Sequence, residues 1–139
     1  MGPVQTAQDL PRPVRATFAA FADRLTSDRF AFLHQQMQDG TIGPVLTLID
    51  ASRVAGTSGP METMPDPAGA ARLLPQYFAV LPEHRGKGYG RALWRAAMAW
   101  GTAHGADYQL LQTELSGASD RLCQTEVLTC LGFVTAAKL

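Results

Sequence analysis

The stretch Tyr77–Arg95, YFAVLPEHRGKGYGRALWR, decides how the chain folds. It begins inside Leu73–Leu81 (LLPQYFAVL), an apolar and aromatic run that predicts a buried strand. Pro75 cannot donate to a ladder, so it predicts a strand start or a bulge. After Pro82 a short turn leads into Arg85-Gly86-Lys87-Gly88-Tyr89-Gly90. From Gly90 to His104, the residues Leu93, Trp94, Ala97, Met98 and Gly101 form one apolar face, which predicts a helix ending at Gly105. The glycines therefore fall between a strand and a helix N-terminus. The first turn of a helix leaves N–H groups unpaired, and the dipole places partial positive charge there. A diphosphate can accept from those groups only at short range, and glycines remove the Cβ atoms that would obstruct it. Arg85, Lys87 and Arg91 add side-chain charge for the same anion.

Two other glycine-rich designs are excluded. The segment lacks the G-x-x-x-x-G-K-[ST] of a P-loop, and its last two glycines are too close for a dinucleotide-binding G-x-G-x-x-G. No Ser or Thr follows Lys87, so magnesium is not implied.

The remaining chain supplies a mixed α/β frame. Residues 1–13 are polar with Pro3, Pro11 and Pro13, and suggest an irregular lead-in. Val14–Leu25 carries a helical stripe through Phe18, Phe21 and Ala22. Ser27-Asp28 suits the start of a second helix that ends at Gly40. Pro44–Asp50 and Arg53–Thr57 predict neighbouring strands joined at Asp50-Ala51-Ser52. Gly59–Gly69, with three prolines, predicts a loop. Tyr108–Leu115 predicts another strand and Asp120–Leu131 a last helix. Such interleaving favours a mixed sheet with helices on its faces. The 139 residues fit a single domain, 1–139, since domains commonly run to about 100–150 residues.

Composition narrows the partners. Twelve basic residues balance twelve acidic ones, so there is no broad attraction for nucleic acid or an anionic membrane. Lys87 and Lys138 are the only lysines, and this arginine bias with many alanines suggests a GC-rich bacterial source. Cys123 and Cys130 form no CxxC, so neither a disulfide framework nor a structural zinc is expected. No apolar run approaches the roughly 20 residues of a membrane span, and Met1–Leu10 lacks a signal peptide's regions, so a cytoplasmic location is expected.

The chain resembles the GNAT superfamily of acyl-CoA-dependent N-acyltransferases, whose motif [QR]-x-x-G-x-[GA] follows a strand ending in V-x-P. Val80-Leu81-Pro82 matches the strand end and Arg85–Gly90 the motif; Leu131-Gly132-Phe133 is similar to the L-G-F that closes the family's fourth helix. Val54-Ala55-Gly56 sits where a family strand commonly carries a glycine. The resemblance implies a GNAT-like fold with a mostly antiparallel sheet flanked by helices, here with shortened N- and C-terminal ends. An open edge at those ends would favour a homodimer. It implies acetyl-CoA as co-substrate, a small primary amine as acceptor, and no metal. Phe78, Ala79 and Val80 would run beside the pantetheine arm, and Arg85, Gly86, Lys87, Gly88, Tyr89, Gly90 and Arg91 would hold the diphosphate. A bulge near Pro75 or Phe78 would splay this strand from Tyr108–Leu115.

The catalytic residues are less defined. The family's usual tyrosine position is Leu128, and its usual asparagine falls at Arg121. Another proton donor would then be Ser119, Cys123 or Tyr77, although the pattern favours a cap role for Ser119 and core roles for Cys123 and Tyr77. Glu114, on the flanking strand, is the first candidate for the base, with Glu62 second. Without such groups, the same residues would suit a non-catalytic acyl-CoA-binding domain.

Overall fold

The structure, a computed structural model, describes residues 4–25, 28–40, 42–74 and 76–110. Four strands form one antiparallel sheet in the order β1-β2-β3-β6: β1 (Val4–Thr6), β2 (Leu46–Asp50), β3 (Arg53–Gly59) and β6 (Tyr77–Val80). A second pair, β4 (Thr63–Pro65) and β5 (Ala71–Leu73), lies between β3 and β6 in the chain. Helices α1 (Arg12–Arg15), α2 (Thr17–Arg24) and α3 (Asp28–Asp39) precede β2, and α4 (Tyr89–Ala103) follows β6.

Alternation along the strands divides the core between the two faces. Phe18, Phe21, Leu33, Val45 and Val54 form one buried cluster under the N-terminal helices. Leu46, Leu48, Ala55, Val80, Tyr89, Leu93 and Ala97 form the other, beneath α4. The β2–β3 register passes from Leu48↔Gly56 to Ile49↔Val54, which leaves Ala55 as an extra residue. This bulge gives α4 two adjacent small residues to pack on. A Cβ on Gly56 would lie 2.8 Å from Leu93 Cδ1, so glycine is needed there for helix and sheet to meet.

Several expectations are met. Of the expected α4 face, Leu93, Ala97 and Gly101 are buried, while Trp94 and Met98 are half-buried at its margin. The helix stops where Gly105 takes φ +83. Ala106 N–H donates to Gly101 O at 2.8 Å and Gly105 N–H to Thr102 O at 3.2 Å, the Schellman pattern. At the β2–β3 turn, Ala51 and Ser52 have φ of 50° and 62°, the paired left-handed geometry of a tight hairpin.

Three expectations change. The lead-in is not wholly irregular, because Val4–Thr6 forms β1 against Leu46–Leu48 and Pro13 sits in the first turn of α1. The helical stripe Val14–Leu25 breaks at Ala16. There the Thr17 hydroxyl donates to Val14 O at 2.7 Å and accepts from Val54 N–H at 2.9 Å, tying the break to β3. Part of Gly59–Gly69 is strand rather than loop: β4 pairs with β5, and Asp66-Pro67-Ala68-Gly69 makes the turn between them.

The run Leu73–Leu81 is correspondingly divided. Thr63↔Leu73 continues the register set by Gly59↔Tyr77, so β3–β4 and β5–β6 are the two arms of one hairpin, interrupted for three residues on each side. One backbone bond, Leu74 N–H to Glu62 O at 2.9 Å, crosses the gap. Pro75, the residue expected to disturb the strand, lies outside the described residues, as do the expected helix start at Ser27, residues 111–115 of the last strand, and the helix Asp120–Leu131. No described helix is long and apolar enough to cross a membrane.

Candidate functional site: a glycine turn at the end of the central hairpin

Strand β6 ends at Val80, Leu81 N–H donates to Ala55 O at 3.0 Å, and a 3-10 turn spans Pro82–His84. Arg85 through Gly88 are exposed, and α4 begins at Tyr89. Gly86 and Gly88 take φ of 80° and 81°, left-handed values that side-chain-bearing residues adopt only with strain. A Cβ at either position would meet nothing within 4 Å. Glycine is required here by backbone conformation, not by crowding, and the space in front of the turn is open. Gly88 is the N-cap of α4 and, having no side chain, offers the first turn no capping acceptor. That arrangement fits an anion such as a diphosphate.

Gly90 differs from the other two. It is helical, and a Cβ there would sit 3.6 Å from the Phe78 ring, an ordinary contact. Alanine therefore fits at the position where the motif allows either residue.

The loop is braced from outside the motif. Arg24, in the last turn of α2, donates to both carboxylate oxygens of Glu83, one at 2.8 Å. This bond, with the guanidinium charge beside it, pulls the Glu83 carboxyl down to about 2. Tyr89, read as a diphosphate contact, is 7% exposed and donates its hydroxyl to Asp50 Oδ2 at 2.8 Å. The same oxygen lies 3.1 Å from His84 Nδ1, and the His84 ring stacks on Tyr89. The hydrogen bond from Tyr89 is the main cause holding the Asp50 carboxyl below its ordinary value, and it raises the Tyr89 phenol in turn. Arg85 Nε donates to Val80 O at 3.3 Å, and the Lys87 ammonium stands 5.9 Å from the Tyr89 ring centre. Asp50 and Arg24 were invisible in the sequence, being 39 and 59 residues from their partners.

Beside β6, Phe78 is exposed, Ala79 half-buried and Val80 buried. One edge of β6 pairs with β3; no described residue forms a ladder with the other. The chain after α4 returns alongside β5 instead, through a parallel bridge Arg72↔Tyr108 and the bond from Leu73 N–H to Tyr108 O at 2.8 Å. Pairing ends there among the described residues, and Leu110 is 55% exposed.

The structure brings Phe78, Ala79 and Val80 to the same end of the molecule as Arg85–Arg91. Glu62 lies in the interruption of the hairpin, exposed. Glu114, Ser119, Arg121, Cys123 and Leu128 lie outside the described residues, as does the side chain of Tyr77, whose backbone starts β6. Among the described residues no group of three His, Cys, Asp or Glu could hold a metal ion.

This fold, with a glycine turn joining strand β6 to helix α4, is that of an acetyltransferase. The model of the Acetyltransferase (GNAT) family matches residues 45–122, more than half of the chain, and the chain belongs to that family. Solved structures share the fold at low identity. A Trypanosoma brucei acetyltransferase has a TM-score of 0.69 at 16% identity, over 98% of both chains. A putative acetyl transferase from Pyrococcus furiosus gives 0.68 at 14%, also over 98% of both. The aminoglycoside N-acetyltransferase AAC(6')-Iy in complex with CoA gives 0.68 at 13%, again over 98% of both. Comparison with curated proteins yields no match. The family uses acetyl-CoA.

Proposed function

We propose that this chain transfers an acetyl group from acetyl-CoA to a primary amine of a small acceptor. The observation that carries the reading is the pair of left-handed glycines, Gly86 and Gly88, opening onto free space at an uncapped helix start. Backbone N–H groups of this turn, with Arg85, Lys87 and Arg91, would hold the diphosphate. The edge of β6 at Phe78–Val80 that no described residue pairs would accept from and donate to the pantetheine amides. Acetyl-CoA supplies an activated thioester; the amine must lose a proton to attack it, so a carboxylate base is required. Glu114 is the proposed base, with Glu62 the second candidate and Tyr77 proposed to protonate the departing thiolate.

The acceptor side, formed by α1–α3 and the β3–β4 connection, carries no strong excess of either charge, which favours a small, modestly charged amine. The alternative, an acyl-CoA-binding domain without catalysis, is favoured by Leu128 standing where the family usually has its tyrosine.

Thiol release from acetyl-CoA over a panel of amines separates the two. Release with at least one amine, lost in Glu114→Gln, supports the transferase. CoA binding without release supports the alternative, and absence of CoA binding by calorimetry overturns both.

A further inference from the structure

Tyr89 lies inside the glycine-rich motif, yet its side chain is buried rather than displayed with those of Arg85 and Lys87. Its hydroxyl reaches the turn after β2 and donates to Asp50, whose Oδ2 also faces His84 Nδ1. His84 closes the 3-10 turn before the motif, and Tyr89 is the first residue of the helix after it. One carboxylate thus stands beside both ends of the exposed segment Arg85–Gly88: it accepts from the hydroxyl of Tyr89, and His84, 3.1 Å from it without a hydrogen bond, stacks on the Tyr89 ring. Asp50 is itself placed by the left-handed pair Ala51-Ser52, which fixes where the hairpin turn points.

We infer that Asp50 is a positioning residue for the donor loop, setting through its hydrogen bond with Tyr89, against which His84 stacks, the orientation in which Gly86 and Gly88 present their N–H groups. The inference rests on the donor-binding reading given above. Charge alone argues that Asp50 should be unfavourable here, since a carboxylate near a diphosphate site repels the ligand. Its contribution is therefore geometric: a loop held in its binding conformation loses less freedom when the ligand arrives. Lys87, near the Tyr89 ring, lies on the same braced unit.

The test uses CoA and pantetheine, the latter lacking the diphosphate. CoA affinity is measured by calorimetry and pantetheine affinity by ligand-observed NMR. Tyr89→Phe and Asp50→Ala each weaken CoA binding about five- to tenfold, within the range of the net contribution of one ordinary hydrogen bond. The double variant is no weaker than about twofold beyond either single one, because both remove the same link. Asp50→Asn keeps an oxygen to accept from the phenol and recovers most of the loss. Pantetheine affinity does not change in any of them.

Unchanged CoA affinity in Tyr89→Phe and Asp50→Ala overturns the inference while leaving the donor reading intact. Equal weakening of CoA and pantetheine also overturns it, because the effect would then be a general loss of structure. So does failure of Asp50→Asn to recover any affinity. Should Asp50→Ala not fold, Tyr89→Phe, which removes a single oxygen, decides alone. A wild-type protein that does not bind CoA overturns the donor reading itself.

Discussion

Two turns in this molecule use the same pair of side chains to opposite ends. At the tip of β4–β5, Tyr108 donates its hydroxyl to Asp66 Oδ2 at 2.7 Å, as Tyr89 donates to Asp50 near the motif. The other Asp66 oxygen, however, accepts from the N–H groups of Ala68 and Ala70, each at 2.9 Å. The tip turn therefore supplies its own anion, and the Tyr108 hydrogen bond, helped by those from the backbone, holds the Asp66 carboxyl below its ordinary value. Among the described residues the turn at Gly86–Gly88 has no such internal acceptor. Its carboxylate, Asp50, accepts from the Tyr89 hydroxyl behind the loop rather than from the loop's own N–H groups. A turn capped by its own acid is finished, whereas one capped by glycine is open to a ligand.

Breaking the open turn should have the largest effect. Gly88→Val puts a β-branched residue at φ 81° and is expected to weaken CoA binding at least tenfold, about 1.4 kcal/mol or more, by calorimetry. Gly86→Ala, at φ 80° with a smaller side chain, should cost about fivefold in the same measurement. The closed turn should respond in stability instead. Asp66→Ala should lower the melting temperature by a few degrees and leave CoA affinity unchanged, because its loss frees N–H groups far from the motif.

The brace at Glu83 gives a pH signature. Its carboxyl falls from 4.5 to about 2 on folding, so the stabilisation is fully present above about pH 4.5 and is lost as pH falls toward 2. Wild type should lose stability more steeply than Glu83→Gln across that window, read as denaturation midpoints at several pH values. The smallest effect is expected for Gly90→Ala, within about twofold in CoA affinity, since the added methyl only touches Phe78.

Local signals were legible in the sequence. The α4 stripe and the Gly105 stop depend on residues within a few positions of one another, and the glycine motif declares its own backbone needs. What the sequence did not reveal is long-range. β1 is three residues long and exists because β2 offers it an edge. The turn at Asp66-Pro67-Ala68-Gly69 carried a readable signature, with Pro at the second position and Gly at the fourth, but the prolines around it suggested a plain loop. Asp50 and Arg24 join the site only after the sheet and helices have packed. Tyr89 matched the motif by position, while its side chain serves the packing behind the loop.

The unbroken register of the interrupted hairpin sets a rule for chain length. Residues 60–62 on one arm and 74–76 on the other are equal in number, so the side chains beyond the gap keep their faces. Inserting or deleting one residue in a single arm would rotate Leu73 away from Gly101, where a Cβ would already lie within 3.1 Å of it. The two connections can therefore lengthen or shorten only in step. Any variant of this fold that alters one of them alone must also rebuild the contact between β5 and the far end of α4.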